Sequence, residues 1–306
     1  MLRHTKKIAG QKGSKREKSG HGKNRNSTSK KLESKTGMKW KAKGRSIKNM
    51  DKRIGAQLYT VRDYTKTLED FDKTLEKVAA IGYKSVQLSA IGPFSGEDIK
   101  ALLDKHHLVA ACTHRGYDEY TQRLEESIRF HKAIDCKIAG LGMFPKLGSD
   151  FTMEDVKEFT KQMNEVDAAF RENGMSFAYH NHWHEFMKAY DNRFIMEYFA
   201  EHASFDFILD VYWLSFAGVD PARYITHLGP RAKVIHFKDM KMVRIPDTDA
   251  HQMAEVMEGN LDWDSIIEAA EKAGSEWAMV EQDICQRDPF ESLKISYDNL
   301  ITKGFI

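Results

Sequence analysis

Between Ile54 and Ile306, short apolar runs alternate with amphipathic stretches eight times. The apolar runs fall at 54–59, 85–88, 108–113, 137–143, 175–179, 205–211, 232–237 and 277–281. Each has the length and composition of a buried strand. Helices are predicted over 67–81, 95–107, 117–134, 152–173 and 193–202, in a short piece from Asp220-Pro221, and over 263–273 and 289–302. In the first of them Leu68, Phe71, Leu75, Val78 and Ala79 recur at helical spacing and Gly82 stops the run. Ser95 and Thr152 stand where N-caps belong, and Pro221 sits at a favoured first helical position. The segment 239–260 reads as a long irregular connection, a candidate lid. Eight strand–helix units over about 250 residues argue for a parallel (β/α)8 barrel. An open doubly wound sheet would need a phosphate-binding glycine fingerprint after its first strand, and Thr60-Val61-Arg62-Asp63 offers none.

The chain's near-neutral balance conceals two unlike segments. Residues 1–53 carry 19 Lys or Arg against 3 Asp or Glu, and residues 54–306 carry 28 against 42. The basic segment has almost nothing apolar to bury, so it reads as a disordered tail. Met50, followed by Asp51-Lys52-Arg53 and then an apolar run, looks like an alternative start. That reading is preferred to a nucleic-acid contact, for which only the tail has the charge. Cys112, Cys136 and Cys285 are far apart, which suits a reducing cytoplasm without a disulfide framework. No apolar run is long enough to span a bilayer, and no signal-peptide core is present at the N-terminus.

A parallel barrel presents its chemistry at the carboxyl ends of its strands, so the polar residues directly after each apolar run are the candidates. Gln87 and Ser89 end the second strand and His114 the third; His180 and His182 end the fifth, Asp210 the sixth, His236 the seventh and Glu281 the eighth. Residues two apart on a strand share a face, so His180 and His182 point together, as do His236 and Lys238. A carboxylate or imidazole set straight after an apolar core is costly to bury unless paired or ligated. That happens on four consecutive strands, and one divalent cation held by His180, Asp210, His236 and Glu281 satisfies all four. Such a donor set suits Mn, Co, Fe or Zn without choosing among them, and Mg stays open beside these. His182 is an alternative ligand or an acid/base next to the ion. Lys238 is a candidate for binding an oxyanion or a phosphate. Trp213, Tyr59 and Phe144 are candidate apolar walls for a sugar ring, and His184 and Glu185 candidate partners of the ligands. Each residue alone also has an ordinary reading: Asp210 as a helix cap, His236 as a satisfied core histidine, Glu281 as a partner of Arg62.

Several segments carry a resemblance: Gly55-Ala56-Gln57-Leu58-Tyr59-Thr60-Val61-Arg62-Asp63, Tyr179-His180-Asn181-His182 with Glu185-Phe186, and Ala217-Gly218-Val219-Asp220-Pro221. His236-Phe237-Lys238-Asp239, Gly259-Asn260-Leu261-Asp262-Trp263 and Glu281-Gln282-Asp283 complete it. Over about residues 54–306 the chain resembles the xylose isomerase-like TIM-barrel superfamily, in its sugar phosphate isomerase/epimerase group. The resemblance implies a divalent metal held by fifth- to eighth-strand residues, with Asp210, His236 and Glu281 matching three of the usual ligands. His180 stands where relatives usually have glutamate, Gln87 where many have another, and Trp213 where several have histidine. The His-x-His pattern resembles the inosose dehydratase branch.

The function so implied is isomerisation or epimerisation of a keto-sugar or related polyol, phosphorylated or not. Glu281 or His182 would remove a proton beside the carbonyl, with Lys238, His114, Gln87 and Trp213 contacting substrate. Elimination, as in inosose dehydratases or enzymes of keto-glycosides, begins with the same proton. Two readings of other classes remain: a DNA hydrolase related to AP endonucleases, and a non-catalytic sugar-binding barrel. A homo-oligomer is compatible with either.

Overall fold

Eight parallel strands form one sheet in a computed structural model that describes residues 52–146, 151–190, 192–245 and 248–306. They are β1 (Gly55–Gln57), β2 (Ser85–Ser89), β3 (Val109–His114), β4 (Ile138–Leu141), β5 (Ser176–His180), β6 (Asp206–Asp210), β7 (Ala232–Phe237) and β8 (Trp277–Val280). Their order is β3-β2-β1-β8-β7-β6-β5-β4, and a parallel bridge from Arg115 to Leu141 joins the two ends into a barrel. The (β/α)8 expectation holds. Around the strands lie α1 (Leu68–Ile81), α2 (Gly96–Lys105), α3 (Tyr117–Thr121), α4 (Leu124–Ala133) and α5 (Met153–Glu172). The second half adds α6 (Ile195–His202), α7 (Val211–Phe216), α8 (Pro221–Leu228), α9 (Trp263–Ala273) and α10 (Pro289–Ile301). Thr67, Ser95 and Thr152 cap α1, α2 and α5 through their hydroxyls.

Strand alternation sorts the core into two layers. Inward-facing Ala178, Ile208, Val234 and Met279 pack with Ala111, Cys112 and Ile138 inside the barrel. Their outward neighbours, among them Phe177, Tyr179, Phe207, Leu209, Ile235 and Phe237, are buried under the helices. The next inward positions, two residues on, are His180, Asp210, His236 and Glu281. The pairing sets Asp210 opposite His236 across β6–β7; His180 pairs with Ile208 and His236 with Met279, so the ligand position steps up by two residues from β5 to β6 and again from β7 to β8.

Four expectations need correction. Leu58–Tyr64 is a 3-10 helix rather than the end of a strand, started by the Gln57 side chain, which accepts from Tyr59 N. The helix expected over 117–134 is two, α3 and α4. Arg123 leaves helical geometry (φ −134°, ψ 39°), and buried Tyr120 ties α3 to β4 through a hydrogen bond to the Gly140 carbonyl. Segment 239–260 is largely regular: Asp239–Ile245 and Thr248–Ala254 pair as an antiparallel ribbon. The helix expected to start near Arg193 starts at Ile195, because Arg193–Phe194 pairs with Lys188–Tyr190.

The basic stretch expected over 1–53 lies outside the described residues except for its last two. The Lys52 carbonyl accepts from Ile306 N at 2.7 Å, and the Arg53 guanidinium lies over the Trp277 ring. Among the described residues no helix is long and apolar enough to cross a membrane.

Candidate metal centre

The four inward residues at the tops of β5 to β8 converge. One ligand atom from each of His180, Asp210, His236 and Glu281 lies within 4.8 Å of all the others, and all four residues are buried. His236 Nδ1 is 2.8 Å from Glu281 Oε2 and 3.7 Å from Asp210 Oδ2, and His180 Nε2 is 3.5 Å from Asp210 Oδ2.

The surrounding bonds aim these atoms inward. His180 Nδ1 meets the Gly142 carbonyl at 3.1 Å, which puts its proton there and leaves the Nε2 lone pair for the cluster. His236 Nε2 meets Gln87 Oε1 at 2.7 Å, which leaves its Nδ1 lone pair. Asp210 divides its oxygens. Oδ1 accepts from Trp213 N at 3.1 Å and caps α7, so the ordinary reading of this residue is also true. Oδ2 is left to the cluster. The Asp210 backbone is fixed by Asn181, whose Oδ1 accepts from its N–H at 3.0 Å.

A cation fits this arrangement. With the imidazoles neutral, His180 Nε2, Asp210 Oδ2 and His236 Nδ1 are buried acceptors facing one another without a hydrogen bond. Each such atom costs about 1–3 kcal/mol, so three aimed at one point are a large fraction of a domain's stability unless something satisfies them. Charge agrees. With neutral imidazoles, Asp210, Glu281 and Asp283 against Lys238 leave two negative charges. Burial opposes the charge on His236, yet Glu281 and Asp210 push its pKa up to about 9. Burial likewise works against ionised Glu281, but Lys238 and His236 hold it down at about 2. The cluster thus draws positive charge from whatever it has.

The other candidate residues are distributed unevenly around it. His114 sits against the cluster, its ring 4.7 Å from His180 and 5.3 Å from His236, with Nε2 unpartnered. It also lines a cavity of about 450 Å³ at the ends of β2 and β3, with Leu88, Ile91, Phe94 and Arg115. His182 is 4.7 Å from His180 and 5.6 Å from Trp213, and its Nδ1 and the Trp213 indole N–H lack partners. Burial first, then His180 and Lys238, hold the pKa of His182 at about 2, which keeps it neutral. Lys238 is buried and contacts Asp210, Glu281 and Asp283. Glu185 anchors the loop beneath these histidines: it accepts from Tyr179 Oη and, at 2.8 Å, from His182 N.

Three candidates do other work. Gln87 uses its carbonyl oxygen on His236, so it orients a ligand atom and only its NH2 is left for anything else. Phe144 is packed among Phe151 and Phe159 in the core and makes no wall of the site. Arg62 binds the Asp283 and Tyr59 carbonyls rather than Glu281. Sequence reasoning missed Asp283 and Asn181. The two-residue rule that found Glu281 also reaches Asp283; nothing local marks Asn181.

A model of the xylose isomerase-like TIM barrel matches residues 75–294. The chain belongs to that family. A relative from Lacticaseibacillus casei, an inosose dehydratase, is 22% identical over 254 residues, covering 72% of this chain and 85% of the relative. A sugar phosphate isomerase/epimerase from Parabacteroides distasonis superposes with a TM-score of 0.67 at 21% identity, covering 83% of this chain and 94% of that one. A family protein from Mycobacterium smegmatis in complex with magnesium has a TM-score of 0.63 at 12% identity, over 82% and 95% of the two chains. At these identities the solved structures speak for the shared barrel.

Proposed function

We propose that this family member is a divalent-metal-dependent enzyme that removes a proton beside the carbonyl of a keto-sugar or related polyol, leading to isomerisation or epimerisation. The observation that carries the reading is the convergence of four buried ligand atoms from four successive strands. His180, Asp210, His236 and Glu281 would hold the ion, and two imidazoles with two carboxylates favour Mn, Fe, Co or Zn over Mg. Bound there, the metal supplies Lewis acidity toward a substrate oxygen.

The protein's own groups do the rest. The proton goes to Glu281, which is ionised, or to His182, which is neutral. Lys238 keeps its charge despite burial, because the neighbouring carboxylates outweigh desolvation, and it stabilises negative charge on oxygen. His114 Nε2, His182 Nδ1 and the Trp213 indole N–H offer buried, unpartnered polar atoms to hydroxyl groups. Those atoms suit a polyhydroxylated substrate better than an apolar one.

A second reading keeps the same first step and follows it with loss of a hydroxyl. It is favoured by His180 and His182 on one face, which places a proton carrier beside the ligand set, and by the dehydratase relative. A several-zinc DNA hydrolase is disfavoured: the two ligand groups among the described residues share His180 and His236, and residues 54–306 are acidic.

Incubation with Mn2+ and a panel of keto-sugars in deuterated water tests proton abstraction whatever the product. His236→Ala is expected to lose bound metal and deuterium uptake together. His182→Asn is expected to keep the metal; loss of most of the exchange there assigns the proton to His182, and retained exchange assigns it to Glu281. Full exchange and full metal content in His236→Ala would refute the assignment.

A further inference from the structure

Lys238 faces the same oxygens that the cation would use. Its Nζ is 3.3 Å from Asp210 Oδ2 and 3.3 Å from Glu281 Oε2. Those two oxygens are the ones that converge on His180 Nε2 and His236 Nδ1. An ammonium and a divalent cation repel strongly at such range in a site with little water to screen them. For both to be present, the ammonium has to be held to one side.

Asp283 is placed to hold it. Both of its carboxylate oxygens lie 2.8 Å from Lys238 Nζ and accept hydrogen bonds. The bond to Glu281 is longer, at 3.3 Å, and Asp210 Oδ2 receives none. Asp283 stands two residues beyond Glu281 in the segment that leaves β8, on the outer side of the cluster, where it is partly exposed. The Trp213 ring, 5.1 Å from the ammonium, bounds another side.

We infer that Asp283 is a positioning residue: it draws the Lys238 ammonium away from the Asp210 and Glu281 oxygens so that a divalent cation can enter the ligand set. The inference rests on the metal reading. Without the anchor, the ammonium settles between Asp210 and Glu281 and becomes a tethered competitor for the ion. Asp283 therefore acts on metal binding through Lys238, and its effect depends on Lys238 being there.

The test is Mn2+ binding to the metal-stripped full-length protein, measured by calorimetry for the unsubstituted chain, D283N, K238M and the double variant. D283N is expected to weaken Mn2+ binding by about tenfold or more, and by less than about threefold in the K238M background. K238M alone is expected to bind Mn2+ at least as tightly as the unsubstituted chain. An equal fold-loss in both backgrounds would show Asp283 acting as a plain charge and overturn the inference, as would no loss in D283N. If K238M lacks the native circular dichroism spectrum, K238Q, a neutral side chain that still donates to Asp283, takes its place. Failure of the unsubstituted protein to bind Mn2+ sinks both this inference and the metal reading. Binding without coupling sinks the inference alone.

Discussion

Gln87 carries a role in the cluster that its sequence neighbourhood does not reveal. The four ligand residues are legible because each is a polar residue set directly after an apolar run, where burial is costly without a partner. The tautomers that aim them are not legible, since they depend on bonds between residues far apart in the chain. Gln87 meets His236 across a separation of 149 residues, and His180 meets a carbonyl 38 residues away. Outer partners of this kind typically change metal affinity by about 10–100-fold when removed. Gln87→Met keeps the volume of a fully buried side chain and removes the acceptor for His236 Nε2–H. It is expected to weaken Mn2+ binding by about tenfold or more with little change in Tm. An unchanged Kd would mean that the ring is oriented by packing alone.

Helices α1, α5 and α9 match their periodic stretches almost residue for residue, and β7 matches fully, because burial on one face enforces the period. The departures occur where a tertiary bond overrides the local pattern. Tyr120 breaks 117–134 into two helices, and the segment after β7 folds into a ribbon that its Pro246 and acidic residues disguise as loop. The return from that ribbon is organised by Asp239. Its Oδ1 accepts from Met240 N and Leu261 N, and its Oδ2 from Met257 N, Gly259 N and the Trp263 indole. Gly259 is needed for this approach, since a Cβ there would lie 2.3 Å from Asp239 Oδ1. Asp239→Asn would set an NH2 against N–H donors and remove the charge they bind. A loss of about 3 kcal/mol is expected, from hydrogen bonds to a charged group worth about 1.5–3 kcal/mol each. Amide exchange at Met257, Gly259 and Leu261 is expected to speed up before the rest of the barrel. Unaltered protection at those amides would show that the ribbon itself holds the segment.

Closure of the whole barrel depends on one joint, the seam between β3 and β4. A single bridge joins them, with Arg115 N donating to the Gly140 carbonyl at 2.9 Å. Close approach is possible because residue 140 is glycine; a Cβ would lie 2.1 Å from the Thr113 carbonyl oxygen. A buried relay braces the joint. His131 Nδ1 donates to the Ser127 carbonyl at 2.7 Å, so its Nε2 accepts from the Thr113 hydroxyl at 2.8 Å. The Thr113 oxygen in turn accepts from Gly140 N at 3.3 Å. The relay requires a neutral ring, and burial, opposed by the bond to Ser127, holds the pKa of His131 down at about 4 from the ordinary 6.5. The unfolded chain therefore binds this proton first. Stability from the neutral ring is complete above about pH 6.5 and is lost as the pH falls toward about 4, a difference of about 3 kcal/mol. His131→Phe fits the surrounding rings of Tyr120, Phe130 and Phe170 but neither relays nor titrates. At pH 7.5 it is expected to be less stable than the unsubstituted chain by about 1–3 kcal/mol for the lost buried bonds. That gap should narrow steadily as the pH is lowered to 4.5, because only the unsubstituted chain loses the contribution of a neutral His131. Urea titrations of both proteins across this range measure it. Curves that stay parallel would show that the seam does not sense this proton.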